Sequence, residues 1–309
     1  MAKVWIGVIE MKIGFIGFGE VSYEMSKGFK EAGVKDICAF DPLYEESSVQ
    51  ERASRSNVSL FADPEEVAAR ELDVLIVAVP AQYAYSAWEQ IVDHFKKETV
   101  YVDVSTAGAS VKNDIHQKLM KENYCLVDAA LMGPLPVHQH RVPIIASGDG
   151  TDKFIKIMKP YQMDIEKIST RAGDATNIKF IRSIYTKGLS MLLLEVIQLS
   201  NKLDLEDTII NSLARTMDEK PFVEIMNRLI TGSAIHSERR QVEMENVISF
   251  IEENGELPIM AKATKDKLAQ LTAYGLKEKF NNETPENWKL VVNKLLSMER
   301  GEKNNEIVK

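Results

Sequence analysis

Between residues 11 and 147, short continuous apolar runs alternate with amphipathic segments, and this alternation limits the fold more than any other feature of the chain. The runs cover residues 12–16, 36–40, 74–79, 99–104, 124–130 and 144–146. Most are too short for helices and lack a polar face, so as strands they must be covered on both sides. Helical patterns separate them at residues 21–31, 45–54 (weakly), 64–70, 84–95 and 110–122. Strand–helix–strand order with doubly apolar strands specifies a parallel sheet between helical layers. Another α/β unit spans about residues 151–168 and ends in a candidate last strand.

From Ala175 onward the pattern changes, and no convincing strand follows. Residues 175–203 read as one long helix whose centre, LSMLLLEVIQL, is apolar almost all round, as in a helix buried between others. Further helices are expected at residues 205–218, 221–230, 237–253, 258–280 and 285–298, with Pro221, Pro258 and Pro285 in first-turn positions. The expected fold class is an α/β N-terminal Rossmann-type domain, residues 1–172, plus an all-α C-terminal domain, residues 173–309.

Charge narrows the partners. The net charge is −8 and no basic run is present, which argues against nucleic acid, since phosphate binding needs clustered Lys and Arg. An acidic balance still permits an anionic small molecule in a local positive cleft. No stretch approaches the ~20 apolar residues of a membrane helix. Cys38 and Cys125 sit in strand-like runs without metal-ligand spacing, so they read as free thiols in a reducing, cytoplasmic compartment, and no metal site is expected. Residues 1–10 precede the first good strand and read as an extension outside the core fold.

The first strand is followed by IGFIGFGEVSYEM. Gly17 permits a tight turn, Gly19 lets backbone approach a pyrophosphate, and the next helix N-terminus offers N–H groups. Phe18, Glu20 and Val21 complete the candidate cofactor loop, and Ser22 holds the position of a third glycine. A flexible turn between strand and helix would give the same spacing, so context matters. The second strand, DICAF, ends in Asp41, a carboxylate suited to ribose hydroxyls and repellent to a 2′-phosphate. No Arg follows Asp41 within ten residues, which favours NAD over NADP. The bland alternative for Asp41 is a turn residue before Pro42.

Four ordered segments resemble the β-hydroxyacid dehydrogenase family, relatives of 6-phosphogluconate dehydrogenase. They are GFIGFGEVSYEM, DVSTAGAS, DAALMGPLPVHQHRVPIIASG and GDATNIKFIRS. Through ATNIKFIRSIYTKGL and HSERRQVEM, the chain is further similar to a phosphogluconate dehydrogenase-like subgroup. The resemblance implies that Lys179 matches the catalytic lysine, a general base for alcohol oxidation or general acid for carbonyl reduction. It places Ser105 near the substrate, Thr106 at the nicotinamide end, and Val79 and Pro80 beside the cofactor. Gly133 could offer its N–H to a carboxylate, Ser183 stands where the family keeps Asn, and Arg240 could reach substrate or cofactor. The family's Ser-Gly-Gly is Met132-Gly133-Pro134 here, so the substrate pocket looks rebuilt around retained redox machinery.

Lys179, Arg182 or Ser183, Thr186 or Lys187, and Ser190 share one helix face. A solvated face is the ordinary fate of such a stripe, but this one lacks carboxylates and leads into an apolar segment. His138, His140 and Arg141 could contact an anion or simply be exposed, and Arg239 or Arg240 could instead pair with Glu243. The functional expectation is an NAD(P)-dependent dehydrogenase acting on a small anionic hydroxy acid between its domains, as a homodimer. Imine reduction and non-catalytic NAD sensing are the alternatives.

Overall fold

The computed structural model describes residues 11–120 and 124–306. The expected extension, residues 1–10, lies outside the described residues. By its contacts the chain divides into two compact units, between Ile184 and Tyr185.

In the first unit the order is β1 (Lys12–Ile16), α1 (Glu20–Glu31), β2 (Asp36–Phe40), α2 (Ser47–Ser56), β3 (Ser59–Phe61), α3 (Pro64–Ala68), β4 (Val74–Val77) and α4 (Ala84–Ile91). Then come β5 (Val100–Asp103), α5 (Ala109–Asp114), β6 (Leu126–Leu131), α6 (Leu135–His138), β7 (Ile144–Ser147), α7 (Thr151–Met158) and β8 (Ile165–Ser169). The sheet order is β3-β2-β1-β4-β5-β6-β7-β8. Every pairing is parallel except β6–β7. The apolar runs explain the central strands: every residue of β4, β5 and β6 is buried. Alternate side chains serve opposite faces. Ile13 and Phe15 join Met25 and Phe29 of α1 in one layer, while Ile16 joins Trp88 and Ile91 of α4 in the other.

Two departures from the sequence reading have simple causes. β3 is only three residues, SLF, too short to show a period. β7 runs antiparallel because the chain returns from β6 through the short helix α6 rather than through a long crossover helix.

Helix α8 (Asp174–Lys202) begins in the first unit and ends in the second. The second unit continues with α9 (Glu206–Asp218), α10 (Phe222–Glu253), α11 (Ile259–Ala273), α12 (Leu276–Lys279) and α13 (Trp288–Glu306). The helices expected at residues 221–230 and 237–253 are one element, α10, interrupted where His236 leaves helical geometry (φ −112°, ψ 17°). Pro221 and Pro258 sit at the N-caps of α10 and α11, just ahead of the first turn. Glu195 of α8 accepts the Met260 and Ala261 N–H groups at 2.7 and 2.9 Å, satisfying donors at the start of α11. Ile248, Ile251 and Ala261 form a small core that Leu199 packs against. The apolar centre of α8 was expected to be buried. Instead Met191, Leu192, Leu193 and Leu194 of that centre are exposed, as are Ile181 (67%) and Ile184 (76%) nearer the helix start.

Among the described residues, no helix is long and apolar enough to cross a membrane. None of their His, Cys, Asp and Glu side chains gather in threes or more as a metal site.

Candidate active site

The sheet order reverses direction between β1 and β4, and in such sheets ligands bind beyond the carboxyl ends of the strands at that switch. The loop after β1 is fixed there. Gly17 has φ +91°, and a Cβ on it would lie 2.6 Å from the Ala78 carbonyl oxygen, so this turn admits only glycine without rearrangement. Its N–H donates to Phe40 O at 2.8 Å. Ser22 is fully buried and its hydroxyl donates to Gly17 O at 2.5 Å, so this small polar residue ties helix to loop where a third glycine would allow close packing. Gly19 is the N-cap of α1, no side chain caps that helix, and a Cβ on Gly19 would meet nothing within 4 Å. Open space beside an uncapped helix N-terminus fits a pyrophosphate. The carboxylate of Asp41 closes the loop from β2: Oδ2 accepts the Phe18 N–H at 2.7 Å and Oδ1 the Leu43 N–H at 2.9 Å. Beyond it, a cavity of about 500 Å³ is lined by Tyr44, Gln50, Ala53, Ser54, Val58 and Leu60. Val79 and Pro80 follow β4 on the other side of the switch, half-buried and exposed respectively.

Beyond β5 lies a buried ionic network. Asp103 and Asp128 are direct partners in the β5–β6 register, and both are fully buried. Lys112 of α5, also fully buried, sits with its ammonium 2.5 Å from Asp103 and 3.5 Å from Asp128. Trp88 Nε1 donates to Asp103 at 2.6 Å, and the Ser105 N–H does so at 2.8 Å. Burial pushes the Asp103 carboxyl up, but the Lys112 charge together with hydrogen bonds from Lys112, Ser105 and Trp88 outweighs it and holds the group below the usual carboxylate range. Asp128 in turn organises the start of α8. It accepts the Gly173 N–H at 3.1 Å, the Thr176 N–H at 3.0 Å and the Thr176 hydroxyl at 2.8 Å. The Ala175 N–H donates to Ser147 Oγ at 3.0 Å. A strand carboxylate thus caps the helix whose next turn carries Lys179.

Lys179 and Ser183 are half-buried on α8. Arg182, on the same face, donates to the Met132 carbonyl at 3.3 Å, which brings this helix beside the Met132-Gly133-Pro134 turn. Ser105 is buried and Thr106, next to it, is exposed. Arg240 belongs to the second unit, where it donates to Ser233 at 2.7 Å across the α10 break, and Arg239 pairs with Glu243 at 3.2 Å. The anion role considered for His140 is not what its surroundings favour. It is buried against Phe29, with Nε2 2.9 Å from the Tyr161 carbonyl, and burial lowers its pKa. The sequence reading quoted the segments holding Asp103 and Asp128 without assigning them roles, and it missed Lys112. The only sequence signal was two aspartates within consecutive apolar strands, and Lys112 left none.

A Gly-x-Gly turn at a switch point, with an acid closing the second strand, defines an NAD(P)-binding α/β domain. The comparisons agree. Residues 12–160 match the NAD-binding domain of 6-phosphogluconate dehydrogenase, and residues 201–271 match a domain of unknown function, DUF1932. An uncharacterised 28.5 kDa protein of Methanothermus fervidus is 32% identical over 83% of this chain and 97% of its own length. Human mitochondrial 3-hydroxyisobutyrate dehydrogenase is 27% identical over 39% of this chain and 36% of its own. Among solved structures, a conserved protein described as structurally similar to 3-hydroxyacid dehydrogenases is 30% identical, covering 85% of this chain and 98% of its own, with TM-score 0.56. An Aspergillus terreus reductive aminase bound to NADPH (14% identity, 86% and 94% covered) and a Myxococcus stipitatus imine reductase variant bound to NAD+ (14%, 86% and 95%) share the fold, each with TM-score 0.67. The chain belongs to the 6-phosphogluconate dehydrogenase-like family of β-hydroxyacid dehydrogenases, a family of NAD(P)-binding oxidoreductases.

Proposed function

We propose that this protein is an NAD-dependent dehydrogenase that transfers hydride between the cofactor and a small anionic hydroxy acid, with Lys179 as the general acid/base. The observation that carries the reading is the Asp128 cap, which fixes the turn of α8 just ahead of Lys179. Gly17, Phe18, Gly19, Glu20 and Val21 hold the cofactor pyrophosphate, Asp41 takes the ribose hydroxyls, and Val79, Pro80 and Thr106 border the cofactor. When bound, the nicotinamide supplies the hydride acceptor. The chain's own contribution is proton transfer. As hydride leaves the carbinol carbon, the neutral Lys179 amine takes the hydroxyl proton, and in reduction its ammonium returns it. Ser105, Gly133 and Ser183 are the candidate substrate contacts.

The exposed apolar residues of α8, among them Ile181, Ile184 and Leu193, support a homodimer in which a second copy covers them. The test of the activity is a panel of 2- and 3-hydroxy acids, sugar acids, their phosphates and cyclic imines, each with NAD(H) and NADP(H). Hydroxy-acid oxidation on NAD is expected. Turnover of imines alone would favour imine reduction, and cofactor binding without any turnover would favour a sensor. Either result overturns the proposal.

A further inference from the structure

An anionic substrate on a chain of net charge −8 needs a fixed local cation. Lys179 cannot be that cation during oxidation, because a general base must be neutral to take the proton. Ser105, Gly133 and Ser183 carry no charge. Arginine stays charged at every working pH, and Arg182 stands one helical turn beyond Lys179 on the same face. Its Nη1 donates to the Met132 carbonyl at 3.3 Å. A carbonyl is not an anion, so this bond orients the guanidinium without cancelling its charge. Strand β6 runs parallel to β5, so the Met132-Gly133-Pro134 turn leaves the sheet at the same carboxyl edge as Ser105. That turn offers an anion little of its own: the Met132 N–H donates to the Pro143 carbonyl at 2.8 Å, and Pro134 has no N–H. The two segments that meet here are locally basic. No acidic residue lies between Asp128 and Asp149 or between Asp174 and Glu195, and these stretches hold Arg141, Lys179, Arg182 and Lys187.

We propose that Arg182 is a specificity-determining residue whose guanidinium holds the carboxylate of the hydroxy acid, while the hydroxyl faces Lys179. A guanidinium fork meets both oxygens of a carboxylate side by side, which the point charge of a lysine does not reproduce. The roughly 5–6 Å between the Cβ atoms of such helix neighbours suits a compact acid with hydroxyl and carboxylate on the same or adjacent carbons. The Asp128 cap fixes the start of the helix that carries both residues, so α8 itself sets their spacing. This inference rests on the reading that Lys179 reacts with an anionic substrate.

The test uses the full chain saturated with NADH, a dead-end state in which 3-hydroxyisobutyrate can bind without being oxidised. Calorimetry compares that acid, its neutral amide and glycerol 3-phosphate on wild type, Arg182→Met and Arg182→Lys. Wild type should bind the acid at least about tenfold more tightly than the amide. Arg182→Met should bind the acid no better than the amide, and Arg182→Lys should recover only part of the loss. Both variants should keep the wild-type melting temperature and NADH affinity, because the side chain is exposed. The proposal is overturned if Arg182→Met still prefers the acid, if Arg182→Lys binds it as wild type does, or if wild type fails to bind it. A parallel loss of NADH affinity would mark a structural role, and tighter binding of glycerol 3-phosphate would mark a phosphate site; each overturns it too. Acid binding through Arg182 with no hydroxy-acid oxidation would defeat the dehydrogenase reading alone, and oxidation undiminished in Arg182→Met would defeat this inference alone.

Discussion

Two glycines two residues apart do different work, and their alanine variants separate fold from cofactor binding. At Gly17 the φ of +91° strains any L side chain, and the added Cβ meets the Ala78 carbonyl oxygen at 2.6 Å and Val79 at 2.9 Å. Left-handed strain costs roughly 1–2 kcal/mol and relieving the overlap about 1–3 kcal/mol more. The stiffer unfolded chain returns about 0.4–1 kcal/mol, so Gly17→Ala is expected to lose about 2–4 kcal/mol of stability. Gly19 has an ordinary φ of −79° and open space around its Cβ direction. Alanine is a somewhat worse N-cap than glycine, but the unfolded-state gain offsets this, so the stability of Gly19→Ala without cofactor should stay within about 0.5 kcal/mol of wild type. The methyl does occupy the approach proposed for the pyrophosphate, and overpacking of about 1–3 kcal/mol translates to a roughly fivefold to 150-fold weaker NADH Kd. Urea unfolding gives the first quantity and NADH fluorescence titration the second. Native NADH affinity in Gly19→Ala, or equal destabilisation of both variants, would refute the placement of the cofactor on this loop.

Asp41→Asn removes the carboxylate charge while keeping one acceptor oxygen, and should move the NADH-to-NADPH affinity ratio toward NADPH by about tenfold; an unchanged ratio in paired titrations would show that Asp41 serves only the loop. Because burial holds His140 below its ordinary pKa of about 6.5, its contribution to stability is intact above that pH and is lost as pH falls through the lower native value. The melting temperature of wild type should accordingly fall more steeply between about pH 7 and pH 5 than that of His140→Gln, and parallel slopes would remove His140 as the cause. Ile184→Glu, at a position 76% exposed in the single chain, should convert a dimer to monomer in light scattering, whereas a wild-type monomer would refute the dimer outright.

What the sequence disclosed follows from how local each signal is. Gly17, Gly19 and Asp41 were legible because a turn glycine and a strand-end acid act through their own backbone and nearest loop. The central strands were legible because burial on both faces leaves no polar residue in the run. The Lys112 network was not, since Asp103, Lys112, Asp128 and Thr176 meet only after two strands pair in register and a helix docks above them. A lone lysine in SVKND carries no mark of complete burial. The antiparallel β7 was hidden for a similar reason: an apolar run has no direction until the length of its connection is known. The apolar belt of α8 was legible as a surface needing cover, but periodicity names no occupant.

The central claim is the acid/base role of Lys179, and Lys179→Met addresses it directly. With a substrate from the hydroxy-acid panel, the variant should bind NADH as wild type does while hydride transfer, followed at the nicotinamide absorbance, falls by about 10²–10⁴-fold. Wild-type turnover in Lys179→Met would contradict it.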